Sequence, residues 1–145
     1  MEIMLKRLSN TATIPTSGTF ESAGMDLYAD IEKTVCIKPH ETVMIPTNIA
    51  LSIPDGYFGA IYPRSGLSAK RGLRLANCVG VIDSDYRGGI GVPMHNDSDK
   101  VEFIDPQERV AQLIIQKYKK VTFDEVLELP TSERGVGGFG STGTK

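Results

Sequence analysis

The chain has 145 residues and is poor in cysteine, tryptophan and long apolar runs. Its two cysteines, Cys36 and Cys78, stand far apart, which argues against a disulfide scaffold or a CxxC zinc site and suits a reducing compartment. We expect both to be small buried apolar residues. No stretch approaches the roughly 18 consecutive apolar residues of a membrane span, and Met1 to Arg7 lacks a signal-peptide pattern. The sequence therefore predicts a cytoplasmic protein (or a nuclear one in a eukaryotic or viral setting) that does not enter a membrane.

An excess of basic residues is also absent. The 16 Lys and Arg residues and 18 Asp and Glu residues give a net charge of −2. A protein that grips a long nucleic-acid backbone needs a basic surplus, because phosphate neutralisation supplies most of its non-specific affinity. A small phosphate ligand needs only a few well-placed cations. The composition therefore argues against a nucleic-acid polymer as partner and leaves a nucleotide open.

The distribution of prolines predicts an all-β fold. Eight prolines are spread along a chain of one-domain size, and they leave little room for long helices. Short β-branched or alternating runs lie between them, which is typical of a β sandwich or barrel. The predicted strands are Thr34 to Ile37, Val43 to Ile45, Ile49 to Ile53, Tyr57 to Tyr62, Val79 to Ile82, Gly89 to Met94 and Val101 to Ile104.

Three stretches differ from this pattern of short strands. Ser65 to Arg71, which contains Gly66 and is followed by Gly72, predicts one short helix. Gln107 to Leu129 has no Gly or Pro, and its periodicity fits helix or strand; its β-branched residues favour strand. Residues 134–145, RGVGGFGSTGTK, are too poor in apolar side chains to fold alone, so we expect a glycine-rich arm outside a β domain of residues 1–133. Phe139, a lone aromatic among glycines, suits stacking on a flat ring.

Two segments carry cations beside apolar residues. Arg64 and Ser65, in PRSGLS, precede the predicted helix and could bind phosphate, although Ser65 could equally be an ordinary helix N-cap. Arg109 and Gln112, in QERVAQLI, could contact a ligand or belong to a solvated face.

Two further segments carry carboxylates. Asp26, in AGMDLYA, lies among small and apolar residues, where it could serve a ligand site or a structural ion pair. GVIDSDYRGG, from Gly80 to Gly89, lies between strand-like runs and predicts a β-hairpin whose tip bears Asp83, Asp85 and Tyr86. An ordinary turn rich in Asp remains the alternative, whereas a carboxylate near a bound phosphate could act as a general base toward water.

Taken in chain order, AGMDLYA, PRSGLS, GVIDSDYRGG, ERVAQLI and the arm sequence RGVGGFGSTG resemble the five motifs of the trimeric dUTPase family. They span Ala23 to Gly143, nearly the whole chain. The chain departs from the family pattern at Gly89 and Gly91, where an acidic residue and often a basic residue are expected.

The resemblance implies a jelly-roll-like β sandwich that forms a homotrimer, with C-terminal arms and active sites shared among three chains. It implies hydrolysis of dUTP to dUMP and pyrophosphate, which limits uracil incorporation into DNA and supplies dUMP for dTMP synthesis. Asp83 matches the carboxylate that activates water for attack on the α-phosphorus. Asp26 matches the aspartate that holds Mg²⁺ through water. Tyr86 matches the ring against the deoxyribose, and Phe139 the ring over the uracil.

The resemblance also implies a set of substrate-contacting residues along the chain. They are Arg64, Ser65, Gly66, Asn77, Gly80, Val81, Ile82, Tyr86, Gln112, Arg134, Phe139, Gly140, Ser141 and Thr142. Two other functions remain open at this stage. A related dCTP deaminase would release ammonia from dCTP, and a protein that mainly binds a regulatory partner would capture that partner with or without dUTP.

Overall fold

The computed structural model describes residues 1–77 and 79–138. Within them lie twelve strands and one short helix. In chain order these are β1 (Met4–Arg7), β2 (Thr16–Ser17), β3 (Met25–Tyr28), β4 (Val35–Ile37), β5 (Thr42–Pro46), β6 (Ile49–Ser52), β7 (Tyr57–Tyr62), α1 (Ser65–Arg71), β8 (Leu73–Leu75), β9 (Gly80–Ile82), β10 (Gly91–Asn96), β11 (Glu102–Ile104) and β12 (Arg109–Lys117).

The described strands pair into four antiparallel sheets. The largest has five strands in the order β2-β3-β12-β7-β9, and a second has three in the order β5-β10-β8. Two-stranded sheets join β1 to β6 and β11 to β4. The prediction of an all-β, jelly-roll-like fold with one short helix is confirmed.

The core is a single apolar cluster that takes side chains from all four sheets. It forms because alternate residues of each strand point inward. In β10, for example, Val92, Met94 and Asn96 are buried and the residues between them are partly exposed. Among the described residues, no helix is long and apolar enough to cross a membrane.

Several elements were predicted correctly from local sequence signals. β7 and α1 have the predicted bounds. The helix ends at Gly72, which adopts the left-handed conformation with φ of 66°. The preference for strand over helix in Gln107 to Leu129 is confirmed for β12, which stops at Lys117. Four strands had no prediction: β1, β2, β3 and β8. Each is at most four residues long, too short to show a clear period.

The predicted hairpin around Asp83 is wrong. β9 pairs with β7 in the five-stranded sheet, whereas β10 pairs with β5 and β8 in the three-stranded sheet. The segment between them crosses from one sheet to the other, and it contains a turn in which the Tyr86 amide donates to the Asp83 carbonyl at 3.2 Å. Ile90 is tied instead to β6, because its amide donates to the Ile49 carbonyl at 2.9 Å.

The expectation that both cysteines are buried is wrong for Cys36, whose free thiol is exposed. Alternation along β4 explains this, since Ile37 points into the core and is fully buried. Cys78 lies outside the described residues.

One buried carboxylate ties the N-terminal segment to the corner between β5 and β6. Asp30 is 7% exposed and accepts hydrogen bonds from Ser9 Oγ and from Asn48 Nδ2, the latter at 2.8 Å. Burial raises the pKa of the Asp30 carboxyl, but hydrogen bonds from Ser9, Thr11 and Asn48 hold that pKa below its ordinary value of 3.8. Asp30 therefore stabilises the fold in its ionised form.

Replacing this carboxylate should lower stability in a pH-dependent way. The pKa of Asp30 is lower in the folded chain, so its contribution is present above about pH 4 and is lost as the pH falls through the folded pKa. We expect Asp30→Asn to lower the free energy of unfolding by about 1–2 kcal/mol at neutral pH. Urea denaturation at about pH 7 and pH 3 checks this, with the exposed Asp99→Asn as control. An equal loss at both pH values would contradict it.

Candidate functional site

The first part of the site is a row of residues across the five-stranded sheet. Asp26 of β3 is opposite Gln112 of β12, which is opposite Tyr62 of β7. Directly opposed residues lie on the same face of an antiparallel pair. The neighbouring row of Leu113 and Ile61 is buried, so the row of Asp26 and Gln112 lies on the outer face.

A β-bulge in β12 brings a further cation to this face. Ala111 is opposite Leu27, so regular pairing would place Val110 opposite Tyr28. Arg109 occupies that position instead. Val110 and Ala111 are both fully buried although they are consecutive. The bulge therefore turns Arg109 to the outer face, whereas regular alternation would point it toward the core.

Asp26 lies between two guanidinium groups. Arg64 Nε donates to Asp26 Oδ1 at 2.8 Å, and Arg109 Nη1 donates to Asp26 Oδ2 at 3.2 Å. The Asp26 side chain is only 14% exposed, so its charge needs such partners. The structure thus places Asp26 in an ion pair with Arg64 and Arg109, the alternative left open by the sequence.

Gln112 is fixed by its two neighbouring strands. Its Nε2 donates to the carbonyl of Pro63 at 2.9 Å. On the other side, a Cβ at Gly24 would lie 3.2 Å from Gln112 Cδ and closer still to Oε1. A glycine is therefore required at position 24 for Gln112 to hold this position.

These side chains line an open cavity of about 580 Å³, which we call the basic cavity. It contains Asp26, Arg64, Ser65, Gly66, Arg109 and Gln112 among its lining residues. The N-cap of α1 is Arg64, in extended conformation without a side-chain cap bond, so Ser65 is not the N-cap. A Cβ at Gly66 would meet no atom within 4 Å, which leaves its backbone open to a ligand.

A second cavity, of about 500 Å³, contains Asp83, and we call it the Asp83 cavity. Its lining residues are Met44, Pro46, Asn48, Val81, Ile82, Asp83, Tyr86, Gly89, Ile90 and Gly91. Apolar side chains dominate this list, and three large ones, Met44, Val81 and Tyr86, are exposed. A carboxylate beside an accessible, mostly apolar concavity can bind a flat organic ring and act on a group held next to it.

Tyr86 is positioned by its own turn. Its hydroxyl donates to the Gly89 carbonyl at 3.1 Å. A Cβ at Gly88 would lie 2.6 Å from Tyr86 Cζ, too close for any side chain to fit. Gly88 thus lets the tyrosine ring lie flat against the backbone at the edge of the Asp83 cavity.

Among the described residues, the two cavities share no lining residue. The Asp83 cavity takes its lining from β9 of the five-stranded sheet and from β5 and β10 of the three-stranded sheet, whereas the basic cavity lies on the five-stranded sheet. Asp83 follows Ile82, which is opposite Gly59 of β7, whereas Asp26 is level with Tyr62 and on β3. Strand spacings of about 4.8 Å across the sheet and rises of about 3.3 Å along it separate Asp26 from Asp83 by roughly 20 Å.

The remaining predicted site residues lie elsewhere. Asn77 and Gly80 are neighbours, since a Cβ at Gly80 would lie 3.3 Å from Asn77 Nδ2, but neither lines the two cavities. Arg134 donates from Nε to the Gly137 carbonyl at 3.0 Å. Phe139, Gly140, Ser141 and Thr142 lie outside the described residues. Three lining residues of the Asp83 cavity, Met44, Pro46 and Asn48, were not predicted. Met44 and Pro46 reach it because β5 pairs with β10, which is distant in the sequence, and Asn48 lies between β5 and β6.

The donor atoms of the basic cavity restrict how it could hold Mg²⁺. Within the described residues, no group of three His, Cys, Asp or Glu side chains is placed to bind a metal ion. Asp26 is the single acidic residue among the described residues that line the basic cavity, and both its oxygens accept hydrogen bonds from arginines. A carboxylate oxygen has further lone pairs, so Asp26 fits an Mg²⁺ ion that keeps its own waters and binds mainly to substrate phosphates.

Comparison with known proteins agrees with this geometry. The family model described as dUTPase matches residues 10–143. The deoxyuridine 5'-triphosphate nucleotidohydrolase of Finegoldia magna is 47% identical over 143 residues, covering 99% of both chains. That of a Hydrogenobaculum species is 43% identical and covers both chains completely. The dUTPase of Staphylococcus bacteriophage 80alpha, solved with dUPNHPP, superposes with a TM-score of 0.85 at 30% identity and 99% coverage of both chains. The chain belongs to the dUTPase family.

Proposed function

We propose that this chain hydrolyses dUTP to dUMP and pyrophosphate and so limits uracil incorporation into DNA while supplying dUMP. The observation that carries the proposal is the pairing of an apolar cavity beside Asp83 with a separate basic cavity around Arg64 and Gln112. One suits a nucleoside and the other a polyphosphate. The relatives named deoxyuridine 5'-triphosphate nucleotidohydrolase support this assignment.

Asp83 is the proposed general base. Its carboxylate orients a water for in-line attack on the α-phosphorus and accepts the proton as pyrophosphate leaves. Arg64, Ser65 and Gln112, with the open backbone at Gly66, neutralise and position the phosphates. Asp26 would hold Mg²⁺ through water in the same cavity, and the ion would supply positive charge that offsets the charge of the polyphosphate.

Selection of the nucleoside falls to the segment around Asp83. The ring of Tyr86, held by its own turn, packs against the deoxyribose and leaves no room for a 2′-hydroxyl. The exposed amide of Asn77 and the backbone of Gly80, Val81 and Ile82 supply hydrogen bonds to the uracil edge. A site built to match those bonds rejects cytosine, and a close fit at C5 rejects thymine.

Residues 134–145 form the proposed arm. Arg134, Ser141 and Thr142 contact the outer phosphates, Phe139 stacks over the uracil, and Gly140 permits close approach of the backbone.

The separation of the two cavities supports a homotrimer with shared sites. A general base must lie within hydrogen-bonding reach of its water, about 3 Å, so an Asp83 roughly 20 Å from Asp26 of its own chain cannot serve the same phosphate. A second observation points the same way: Phe123, Leu127 and Leu129 are 96%, 104% and 83% exposed in the single chain. Large apolar side chains in such exposure indicate a surface that another chain covers.

Removing the proposed base tests the mechanism. Asp83→Asn should lower kcat by about 10²–10⁴-fold, because the amide cannot accept the proton. Its affinity for dUPNHPP should stay near that of the wild type. Pyrophosphate release from dUTP, UTP, dTTP and dCTP, with ammonia release from dCTP, measures activity and selectivity together. The control is Asp99→Asn, at a side chain that is 98% exposed. Undiminished turnover by Asp83→Asn would remove Asp83 from the mechanism.

Mixing variants tests whether sites are shared. Asp83→Asn and Arg64→Ala subunits should each be nearly inactive alone. Refolded together at equal amounts, they should recover about a quarter of wild-type activity, since a random trimer then joins an intact Asp83 to an intact Arg64 at that fraction of sites.

The matched control for this mixture pairs Asp83→Asn with the double variant Asp83→Asn/Arg64→Ala, which cannot restore any site. Sedimentation of both mixtures measures the assembly. No recovery in a mixture that sediments as a trimer would show that each site is complete within one chain.

Shortening the chain tests the arm. Removal of residues 134–145 should lower kcat for dUTP by roughly tenfold or more, because the arm excludes water and orients the phosphates. The melting temperature should change by less than about 2 °C, since none of residues 134–138 belongs to the core cluster. Removal of residues 144–145 alone serves as control. A truncated enzyme with wild-type kcat would exclude a role for the arm in turnover.

A further inference from the structure

Met44 is an exposed methionine within a paired strand. It lies on β5 opposite Pro93 of β10, and it is 61% exposed. It also lines the Asp83 cavity together with Asp83 and Tyr86. An apolar side chain that remains exposed at the edge of a largely apolar cavity is available to a ligand.

The position of Met44 depends on a missing side chain at Gly91. A Cβ at Gly91 would lie 2.7 Å from Met44 Sδ and 3.4 Å from Met44 Cγ. Gly91 is the diagonal cross-strand neighbour of Met44, so both belong to the same face of the sheet. The thioether therefore occupies the space that a residue at position 91 would otherwise fill.

This arrangement gives a structural consequence of having glycine at position 91, where the chain departs from the family pattern. A larger residue there would meet the Met44 thioether, which would have to move from its present position. With glycine, the lining is supplied from β5 instead. The thioether is flexible and polarizable and makes favourable contacts with flat rings.

We propose that Met44 contacts the pyrimidine ring of the bound nucleotide and thereby contributes to nucleoside affinity. This inference rests on the proposed function, because it assumes that the Asp83 cavity takes the nucleoside. Met44 carries no ionisable group and cannot take part in proton transfer, so its contribution belongs to binding.

The test compares the binding of a ligand that contains the pyrimidine ring with the binding of a ligand that lacks it. Met44→Ala should weaken dUMP binding by up to roughly tenfold, the loss expected for a sulfur–ring contact. It should raise KM for dUTP by a similar factor and leave kcat within about twofold. Binding of 2-deoxyribose 5-phosphate, which has the sugar and phosphate without the ring, should not change.

Three further variants keep the result interpretable. Met44→Leu retains an apolar chain and should keep most of the affinity. Met44→Ala/Gly91→Met returns a thioether from β10 to the same space and should recover part of it; Gly91 is absent from the positive-φ residues, so its backbone accepts a side chain. Met4→Ala removes another exposed methionine, 72% exposed, that does not line the cavity and should have no effect.

Two results would overturn the proposal. One is dUMP binding by Met44→Ala equal to that of the wild type. The other is an equal loss for dUMP and 2-deoxyribose 5-phosphate, which would indicate a change in the fold rather than a lost ring contact. If Met44→Ala does not fold, Met44→Leu and Met44→Gln are compared, and equal dUMP affinity for those two overturns it. Failure of the wild type to hydrolyse dUTP would instead reject the proposed function, independently of the binding measurements.

Discussion

The register of three neighbouring strands is the constraint on which the basic cavity depends. Asp26, Gln112 and Tyr62 are level with one another on β3, β12 and β7. The adjacent residues Leu113 and Ile61 are buried in the core. A slip of one residue in either pairing would exchange these two rows, which would bury a carboxylate and an amide and expose the core. The hydrophobic core therefore specifies the same alignment that assembles the polar groups.

Among the described strand pairs of this sheet, the bulge in β12 is the departure from regular register, and it brings Arg109 to the same row. Because Val110 and Ala111 are both buried, Arg109 faces outward and reaches Asp26. Asp26 is mostly buried, and its charge is balanced from two directions by Arg64 and Arg109. Loss of either arginine would leave the carboxylate partly unpaired, so the ion pair links the packing of the sheet to the charge distribution of the cavity.

The sequence predicted those features that depend on local signals. β7 and α1 were located correctly because prolines and glycines bound them. The hairpin prediction at Gly80 to Gly89 failed because strand proximity in sequence does not determine pairing: β9 and β10 each find a more distant partner. Residues of the basic cavity could be identified from the motifs they share with the family. Met44 could not, since nothing in its local sequence indicates that Gly91 leaves space for it.

The two cavities are positioned by different physical means. The basic cavity depends on the register of a sheet and on one bulge, whereas Tyr86 is held within its own turn by Gly88 and Gly89. Distortion of the turn at Tyr86 need not disturb the row of Asp26 and Gln112, since no residue lines both cavities. The proposed chemistry at a phosphorus atom would need both cavities at one substrate, whereas strand spacing and rise separate Asp83 from Asp26 by roughly 20 Å within one chain. The proposal that sites are shared follows from this separation, because a neighbouring chain could bring its Asp83 to a phosphate held at Arg64 when the same chain could not.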